Sequence, residues 1–492
     1  RFLIALKRND VYYAEQALFF FERSKAAVLL EELMAQEAEG RSAVPPEVRS
    51  IGQNLEIEIS YYRKLIDTEQ ARSQSANHSK ISQWNSQLLQ LTQEQEAWQN
   101  NLIDQYPEYE SYLRPAKPNL QQIKTALKEH EAVISYFAGQ HKWYCLYIDT
   151  KEVAFRQIEQ TETIISLETE LLANLKMTGV NGIATYLETA YDLFKLLIPS
   201  GLLTSDLAHL IVIPDGQLAF LPFDLLLTDD KTDTDIRSFP FLCKQLSVSY
   251  AYSWGVQNRK YTAEDFQNDF LYVAPVFAAD KNRYLPLSKT PLPSTEYWDI
   301  TRLLERTATK HNFMQMGQKY SLLHFASHAS ASDSILNEPT IEFIDSSLYL
   351  RDLQSMRLSA HLVVLSACDA GLGSVERGEG IMSLARGFTY AGVSSVVSTL
   401  WKINEQTTYQ LLDRFYYYLV QGKSKDQALR LAKLDFLQNC SDVQAAPYYW
   451  AGIVVIGDVQ AIRKKGWSRY FLMTGGFILF ILLLVFKKNP LS

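Results

Sequence analysis

The chain has 492 residues, 47% of them apolar, and a formal net charge of -7 with a pI near 5.7. This length predicts roughly two to four domains. The acidic balance and the lack of an arginine-rich stripe exclude a basic nucleic-acid-binding surface, so nucleic acid is not an expected direct partner. Four widely spaced cysteines and eight histidines without metal-ligand spacing predict no metal, no cofactor and a reducing compartment.

The first 110 residues are predicted to be a helical region. The chain opens on Arg1 within an apolar stretch, so we expect it to continue a longer protein. Apolar residues at helical spacing predict helices over 10–39 and from Pro45 to Gln70, and a third helix carries a heptad-like seam from Ile81 to Leu102. No 34-residue period is visible, so any tetratricopeptide array would lie mainly before residue 1. We expect a long helical hairpin that receives a regulatory protein partner.

The α/β part follows a proline-rich linker from Pro107 to Pro118. A predicted helix over 120–131 leads into three strand-like runs separated by turns, which predict an antiparallel meander within a flanking subdomain over residues 118–205. A helix over 184–198 and further strands alternating with helices then predict a mainly parallel, helix-covered sheet over residues 206–460. The predicted strands lie near 132–137, 143–148, 153–158, 209–214, 247–252, 269–274, 321–328, 361–367 and 393–399.

A histidine and a cysteine follow two of these strand patterns. His328 closes the run from Ser321, and Cys368 closes the run from His361 and is followed by Asp369-Ala-Gly. Ligands bind at the carboxyl ends of strands in open α/β sheets, so the two side chains can face one crevice. An imidazole beside a thiol favours the thiolate that attacks a carbonyl carbon. The pattern predicts a Cys-His dyad for acyl transfer.

The same residues also admit purely structural roles. A lone Cys after an apolar strand more often fills space in a core, but the glycine-rich segment after Cys368 favours an exposed loop. His324 lies four residues before His328 on the same predicted strand, which would place both on one face. We expect His324 to be a buried, hydrogen-bonded neighbour and His328 to be the base, because His328 lies at the end of the strand.

Several ordered motifs resemble the CHAT family of caspase-like, separase-related cysteine peptidase domains, which are often fused to tetratricopeptide repeats. They cover roughly residues 118–458, which makes the resemblance specific. The motifs are Ile213-Pro-Asp-Gly-Gln-Leu-Ala-Phe-Leu-Pro-Phe-Asp-Leu-Leu226, Leu323-His-Phe-Ala-Ser-His328, Val364-Leu-Ser-Ala-Cys-Asp-Ala-Gly371, Gly378-Glu-Gly-Ile-Met-Ser-Leu-Ala-Arg-Gly-Phe388, Ala391-Gly-Val-Ser-Ser-Val-Val-Ser-Thr-Leu-Trp401, Phe415-Tyr416 and Tyr449-Trp-Ala-Gly452.

The resemblance implies a caspase-type fold and endopeptidase activity on a protein substrate. It also implies that His328 is the catalytic histidine and Cys368 the nucleophile. The family usually has Gly after the histidine, with its N–H completing an oxyanion hole together with the N–H of the nucleophile, whereas this chain has Ala329. The backbone donor survives this change, although Gly suits positive φ and close substrate approach better.

Three further residues are candidate substrate contacts. Trp401 follows the strand over 393–399 and is either a substrate contact or a packing anchor. Asp369 and Glu405 would give an acidic bias to the pocket for a substrate side chain, or form solvated surface.

The last segment, 467–488, is predicted to be one transmembrane helix. It holds an uncharged run from Tyr470 to Phe486, close to the lower length limit for a bilayer span. Trp467 and Tyr470 suit a membrane interface, and basic residues before the run outnumber those after it. We therefore expect a single-pass C-terminal anchor with the catalytic domain in the cytoplasm.

Two classes of function follow. The first is a membrane-anchored cysteine endopeptidase regulated by partner binding to the N-terminal helices. The alternative is a catalytically weak scaffold that recruits proteins to the membrane and uses the caspase-like domain for docking. Cys368 and His328 favour the enzyme, and Ala329 keeps the scaffold in consideration.

Overall fold

The computed structural model describes most of the chain, with gaps between the described ranges. The described residues are 11–41, 44–70, 77–106, 108–109, 119–139, 142–158, 161–177, 179–230, 235–259, 269–277, 298–331, 338–366, 373–376, 380–402 and 404–462.

The α-helices of these residues cluster in the first 110 residues and around the sheet. They are α1 (Val11–Arg23), α2 (Ala27–Arg41), α3 (Pro46–Gln70), α4 (His78–Gln105), α5 (Leu120–Ala126), α6 (Thr161–Ala173), α7 (Gly179–Leu197), α8 (Leu242–Gln245), α9 (Trp254–Gln257), α10 (Lys310–Met316), α11 (Leu350–Gln354), α12 (Leu384–Tyr390), α13 (Glu405–Val420) and α14 (Lys425–Asn439).

The strands lie after residue 130. They are β1 (Glu131–Ala138), β2 (Trp143–Asp149), β3 (Val153–Ile158), β4 (His209–Ile213), β5 (Ser247–Tyr250), β6 (Asp269–Ala274), β7 (Asp299–Leu304), β8 (Leu322–Phe325), β9 (Ala329–Ser330), β10 (Thr340–Glu342), β11 (Ser347–Tyr349), β12 (Leu362–Leu365), β13 (Gly373–Glu376), β14 (Gly380–Ser383), β15 (Ser395–Thr399) and β16 (Ile453–Gly457).

One large sheet organises the described residues, in the order β3-β2-β1-β4-β5-β16-β15-β12-β8-β6-β7. The meander β1–β3 and the pair β15–β16 are antiparallel, and the other neighbours are parallel. This confirms the predicted mainly parallel α/β architecture. Strand β1, from the predicted subdomain 118–205, pairs with β4, from the predicted domain 206–460. Both predicted domains therefore contribute strands to one sheet.

Helices cover both faces of the sheet, which is why its strands are apolar on both sides. Alternate residues of one strand enter different cores: Leu322 packs with the core of α6, α7, α13 and α14, and Leu323 packs with the core of α10–α12. Helices α1 and α5 pack against the strands β1–β4 in a further core. The central strands of the sheet therefore lie between two helical layers.

Helices α1 and α2 are part of this packed body. Phe21 is fully buried beside Phe137 and Phe155 of the meander. In the turn between the two helices, the Lys25 ammonium is buried and donates to the Ser135 hydroxyl at 3.0 Å. Helix α1 and the turn after it are thus fixed to the sheet, and α3 and α4 form the predicted hairpin.

Some predicted boundaries are wrong. The helix predicted over 10–39 is two helices, because the chain turns at Ala26, where φ is 49°. The helix predicted to Glu131 ends at Ala126, and the strand predicted to residue 328 ends at Phe325. The sequence reasoning also missed β7, β16, the small sheet β9–β11 and the hairpin β13–β14.

No helix among the described residues combines the length and apolarity needed to cross a membrane. The predicted transmembrane segment, 467–488, lies outside the described residues.

Candidate active site

The register of β8 and β12 aligns the two strand exits that carry the candidate dyad. The strands are adjacent and parallel, and their last aligned pair is Phe325 with Leu365. His328 comes three residues after Phe325, and Cys368 comes three residues after Leu365. The two candidate residues therefore follow neighbouring strands at the same step along the chain.

Cys368 and Asp369 lie outside the described residues, so their roles stay predictions. The other three cysteines are poor nucleophiles. Burial raises the pKa of the Cys145 and Cys243 thiols to about 12. Burial also raises the pKa of Cys440. A thiol with a raised pKa holds its proton at neutral pH and reacts slowly.

The main chain on either side of His328 is held by β10. The His328 carbonyl accepts a hydrogen bond from the Glu342 amide at 2.9 Å. The buried Ser327 hydroxyl donates to the Glu342 carbonyl. The half-buried imidazole packs against the Phe277 ring, with 5.3 Å between centroids and 39° between planes. These contacts hold both the backbone and the ring of His328.

The backbone N–H of Ala329 points away from β10. In an antiparallel ladder, hydrogen-bonded pairs alternate with non-bonded pairs. Because Glu342 donates to the His328 carbonyl, these two residues form a bonded pair, and the next pair, Ala329 with Ile341, is non-bonded. Strand β9 is the outer strand of its sheet, so this N–H is directed off the open edge.

Phe277 reaches His328 from a strained turn at the end of β6, on the other side of β8. The Phe277 amide donates to the Pro275 carbonyl at 2.8 Å, which closes a three-residue γ-turn around Val276. Both Val276 and Phe277 have positive φ, at 64° and 54°. This geometry is rare and is costly for a β-branched residue, and such strain persists where the surroundings impose it.

His324 lies in the core between two hydroxyl groups, which confirms the prediction that it is buried and hydrogen-bonded. Its Nδ1 is 3.0 Å from the Tyr416 hydroxyl and its Nε2 is 2.7 Å from the Ser366 hydroxyl, which also donates to the Phe325 carbonyl. Tyr416 donating to Nδ1, and Nε2–H donating to Ser366, satisfies each group. Burial lowers the pKa of His324 to about 3, so the ring is neutral.

His324 is not placed to act as the base. Both of its ring nitrogens are engaged, and its side chain packs with the core under α13. The prediction that the two histidines share one strand face is wrong, because β8 ends at Phe325 and strand alternation does not extend to His328.

Two of the remaining sequence candidates, Trp401 and Glu405, lie in the segment after β15. Trp401 follows β15, its indole N–H donates to the Tyr448 carbonyl at 3.0 Å, and it packs over Gly452. An added Cβ at Gly452 would lie 2.7 Å from the indole, so this close approach requires glycine. Glu405 is exposed in the first turn of α13, where its negative charge interacts favourably with the helix dipole.

The sequence did not predict the contact of Phe277 with His328 or the hydrogen bonds of His324 with Tyr416 and Ser366. A strained turn has no propensity signature, because Val and Phe disfavour the backbone that they adopt there. Tyr416 was recognised only as part of a motif, and its partner on β8 lies 92 residues away in the sequence.

Known proteins resemble this chain over parts of its length. Tetratricopeptide repeat protein 28 of Mus musculus is 29% identical over 167 residues, which are 32% of this chain and 7% of that protein. The Homo sapiens protein of the same name is 23% identical over 330 residues, which are 55% of this chain and 13% of that protein. The chain thus spans a small part of these relatives.

Two crystal structures of the Saccharomyces cerevisiae separase-securin complex align with the fold at low similarity. One has a TM-score of 0.42 and 9% identity, covering 69% of this chain and 31% of that chain. The other has a TM-score of 0.36 and 10% identity, covering 82% and 27%.

The family model described as CHAT domain matches residues 187–458, more than half of the chain. The matched range includes the central strands β8, β12, β15 and β16, and so the two aligned exits of β8 and β12. The chain belongs to the CHAT domain family.

Proposed function

We propose that this chain is a caspase-like cysteine endopeptidase with Cys368 as nucleophile and His328 as base. The observation that carries the proposal is the register of β8 and β12, in which both residues follow the last aligned pair by three positions. Neighbouring strands lie roughly 4.8 Å apart. Side chains at matching steps beyond two such strands can come within hydrogen-bond reach.

The chemistry follows from these two groups. The His328 imidazole takes the thiol proton, and the Cys368 thiolate attacks the carbonyl carbon of the scissile peptide bond. The carbonyl oxygen becomes an oxyanion that accepts hydrogen bonds from the N–H groups of Ala329 and Cys368. The imidazolium then gives its proton to the leaving amine, and water hydrolyses the acyl-enzyme with His328 again acting as base.

Two observations support this choice of groups. Burial keeps the thiols of Cys145 and Cys243 protonated, and His324 is neutral with both nitrogens engaged. The Ala329 N–H is not used by the β9–β10 ladder. This supports a role for Ala329 as an oxyanion donor although the family usually has Gly at that position.

A peptide library tests the proposal with no preselected substrate. The full chain is incubated with proteome-derived peptides, and new termini are identified by mass spectrometry. We expect cleavage by the wild type and by Cys440→Ala, and none by Cys368→Ala, His328→Ala or the double variant, because residues that act as one unit are not additive. Equal cleavage by Cys368→Ala would contradict the proposal. An inactive wild type whose Cys368 also reacts as an ordinary thiol would favour the scaffold.

We also propose that the α3–α4 hairpin receives a regulatory protein. Apolar side chains are exposed on it, at Ile51, Ile57, Tyr61 and Leu89. The hairpin is tied to the sheet by Arg357, which donates to the Glu56 carboxylate at 2.8 Å and precedes β12. A partner on α3 would therefore act close to the strand that leads to Cys368.

The partner proposal is tested with the double variant Ile57→Lys, Tyr61→Lys. Proteins that copurify with the wild type but not with this variant should raise the peptide-cleavage rate of the wild type alone. Identical sets of copurifying proteins, or equal stimulation of both forms, would contradict it.

We propose further that segment 467–488 anchors the protein in a membrane, with the catalytic domain in the cytoplasm. Its support is the uncharged run from Tyr470 to Phe486 and the basic residues before it. The wild type should resist alkaline carbonate extraction from membranes, and Ile478→Lys with Leu482→Lys should release it. Complete extraction of the wild type would contradict this proposal.

A further inference from the structure

A cleft of about 580 Å³ is lined by residues of α6 and by segments on either side of β15 and β16, among them Trp401 and Tyr448. It lies between the segments that follow β4 and β15, and α6 closes its other side. The walls are largely aromatic and aliphatic, from Leu172, Phe220, Trp401 and Tyr448. This volume and lining are typical of small-molecule sites.

One carboxyl group lies in this apolar wall. Glu168 is 3% exposed, and its Oε2 atom is buried without a hydrogen-bond partner among the described residues. Burial raises the pKa of Glu168 to about 7. A buried polar group without a partner is costly and uncommon in native proteins. The position is surrounded on α6 by core residues such as Ile164 and Leu171, so an apolar side chain would fit the fold better.

The aromatic wall is built before any ligand arrives. The Trp401 indole donates to the Tyr448 carbonyl at 3.0 Å, and the Tyr448 hydroxyl donates to the Lys402 carbonyl at 2.7 Å. The Tyr448 amide also donates to the Leu175 carbonyl at 3.1 Å, which joins the wall to the end of α6. The wall therefore needs little ordering when a ligand binds.

The wall already accepts an ammonium group from the protein. Lys176, at the rim of the cleft, places its Nζ atom 4.6 Å from the centroid of the Tyr448 ring. Ammonium groups are attracted to the faces of such rings by the ring quadrupole. A second ammonium inside the cleft would be attracted both to the face of such a ring and to the carboxylate of Glu168.

We propose that the cleft binds an organic ammonium, a primary amine on an aromatic or apolar stem, with the amine donating to Glu168 and the stem against Trp401 and Tyr448. None of the described residues that line the cleft belongs to β8 or β12. The site gives the protein a small-molecule ligand in addition to a protein substrate.

Calorimetric titration of the full chain with tryptamine tests the proposal, with tryptophol as the neutral matched probe. We expect tryptamine to bind more tightly than tryptophol, and Glu168→Gln to lower tryptamine affinity by at least about tenfold while leaving tryptophol nearly unchanged. Gln keeps the shape and removes a buried charge, so the fold should survive, as a thermal melt will show. Equal affinity of wild type and Glu168→Gln for tryptamine, or no binding to the wild type at millimolar concentration, would overturn the proposal.

Proton release supplies a second readout. At pH 6.5 much of Glu168 is protonated, and an ammonium beside it favours the carboxylate, so tryptamine should release a proton from the wild type and none from Glu168→Gln. The release is measured by repeating the titration in buffers of different ionisation enthalpy. Proton release of equal size in both forms would contradict the assignment.

Two further variants separate this site from an anion site and from the dyad. Lys176→Met removes the competing ammonium, so its affinity for tryptamine should equal or exceed that of the wild type. The wild type could instead bind indole-3-propionate more tightly than tryptamine and lose this binding in Lys176→Met. That result would overturn the proposal in favour of an anion site. Cys368→Ala should bind tryptamine like the wild type, so failure of the catalytic proposal and failure of this one are distinguishable.

Discussion

The Phe277 ring lies 5.3 Å from the imidazole of His328, and it is held there by two successive residues with positive φ. The strain lies at the end of β6, whereas the histidine follows β8 and the candidate nucleophile follows β12. In the proposed site, three neighbouring strand exits would contribute a positioning ring, a base and a nucleophile. Strain at such a place is consistent with a fixed orientation for the imidazole.

Phe277→Ala should lower kcat by about tenfold or more with little change in KM, because a misoriented base slows proton transfer without removing substrate contacts. Phe277→Leu should restore much of the loss, since it keeps an apolar contact with the ring. The measurement is steady-state hydrolysis of a peptide identified from the library. Phe241→Leu, in the buried aromatic cluster with Tyr186 and Trp450, serves as the control and should lower stability more than kcat.

Ala329→Pro should keep the fold but lower kcat by about 10²- to 10³-fold, the usual cost of losing one oxyanion donor. Proline lacks the N–H, and the β9–β10 ladder does not use the N–H at this position. Ala329→Gly should retain activity because it retains the donor.

Ser330→Pro is the matched control for this prediction. Ser330 falls in the next bonded pair, with Thr340, so proline there should lower the melting temperature. Normal kcat in a folded Ala329→Pro protein would remove Ala329 from the oxyanion hole.

The predictable part of the fold depended on periodicity. Continuous apolar runs identified β4, β6, β8 and β12, and the seam from Ile81 to Leu102 identified α4, because both patterns report burial directly. Strand β16 was missed because its central antiparallel position depends on pairing with distant residues.

The site was predictable in part for the same reason. Sequence placed His328 and Cys368 at strand ends, and the register of β8 and β12 was available only from the fold. Glu168 lies on the buried stripe of α6 with Ile164 and Leu171, but its burial was not predicted because a glutamate is usually exposed. Its burial depends on β4 and β15, which lie far away in the sequence.

His324 should make the protein acid-sensitive. Its pKa falls from 6.5 to about 3 on burial, so the folded state favours the neutral ring. This stabilisation is fully present above pH 6.5 and is lost as pH falls from 6.5 towards 3, because protons then bind the unfolded state in preference.

The comparison is between wild type and His324→Gln, which cannot titrate. The free energy of unfolding of the wild type should fall more steeply between pH 6.5 and pH 3, by up to about 1.4 kcal/mol per pH unit, the slope for one proton. Parallel pH profiles of the two proteins, measured by denaturant unfolding, would show that His324 is not buried in its neutral form.

The pH dependence of Cys368 alkylation tests the dyad most directly. In a Cys440→Ser background, iodoacetamide reacts with the full chain at a series of pH values, and the rate at Cys368 is followed by peptide mass spectrometry. An imidazole beside the thiol should keep the reaction fast well below the ordinary thiol pKa of about 8.5, and His328→Ala should move the midpoint up to about that value, while His324→Gln leaves it unchanged. A midpoint near 8.5 in the wild type, unmoved by His328→Ala, would contradict the assignment of Cys368 and His328 as a catalytic pair.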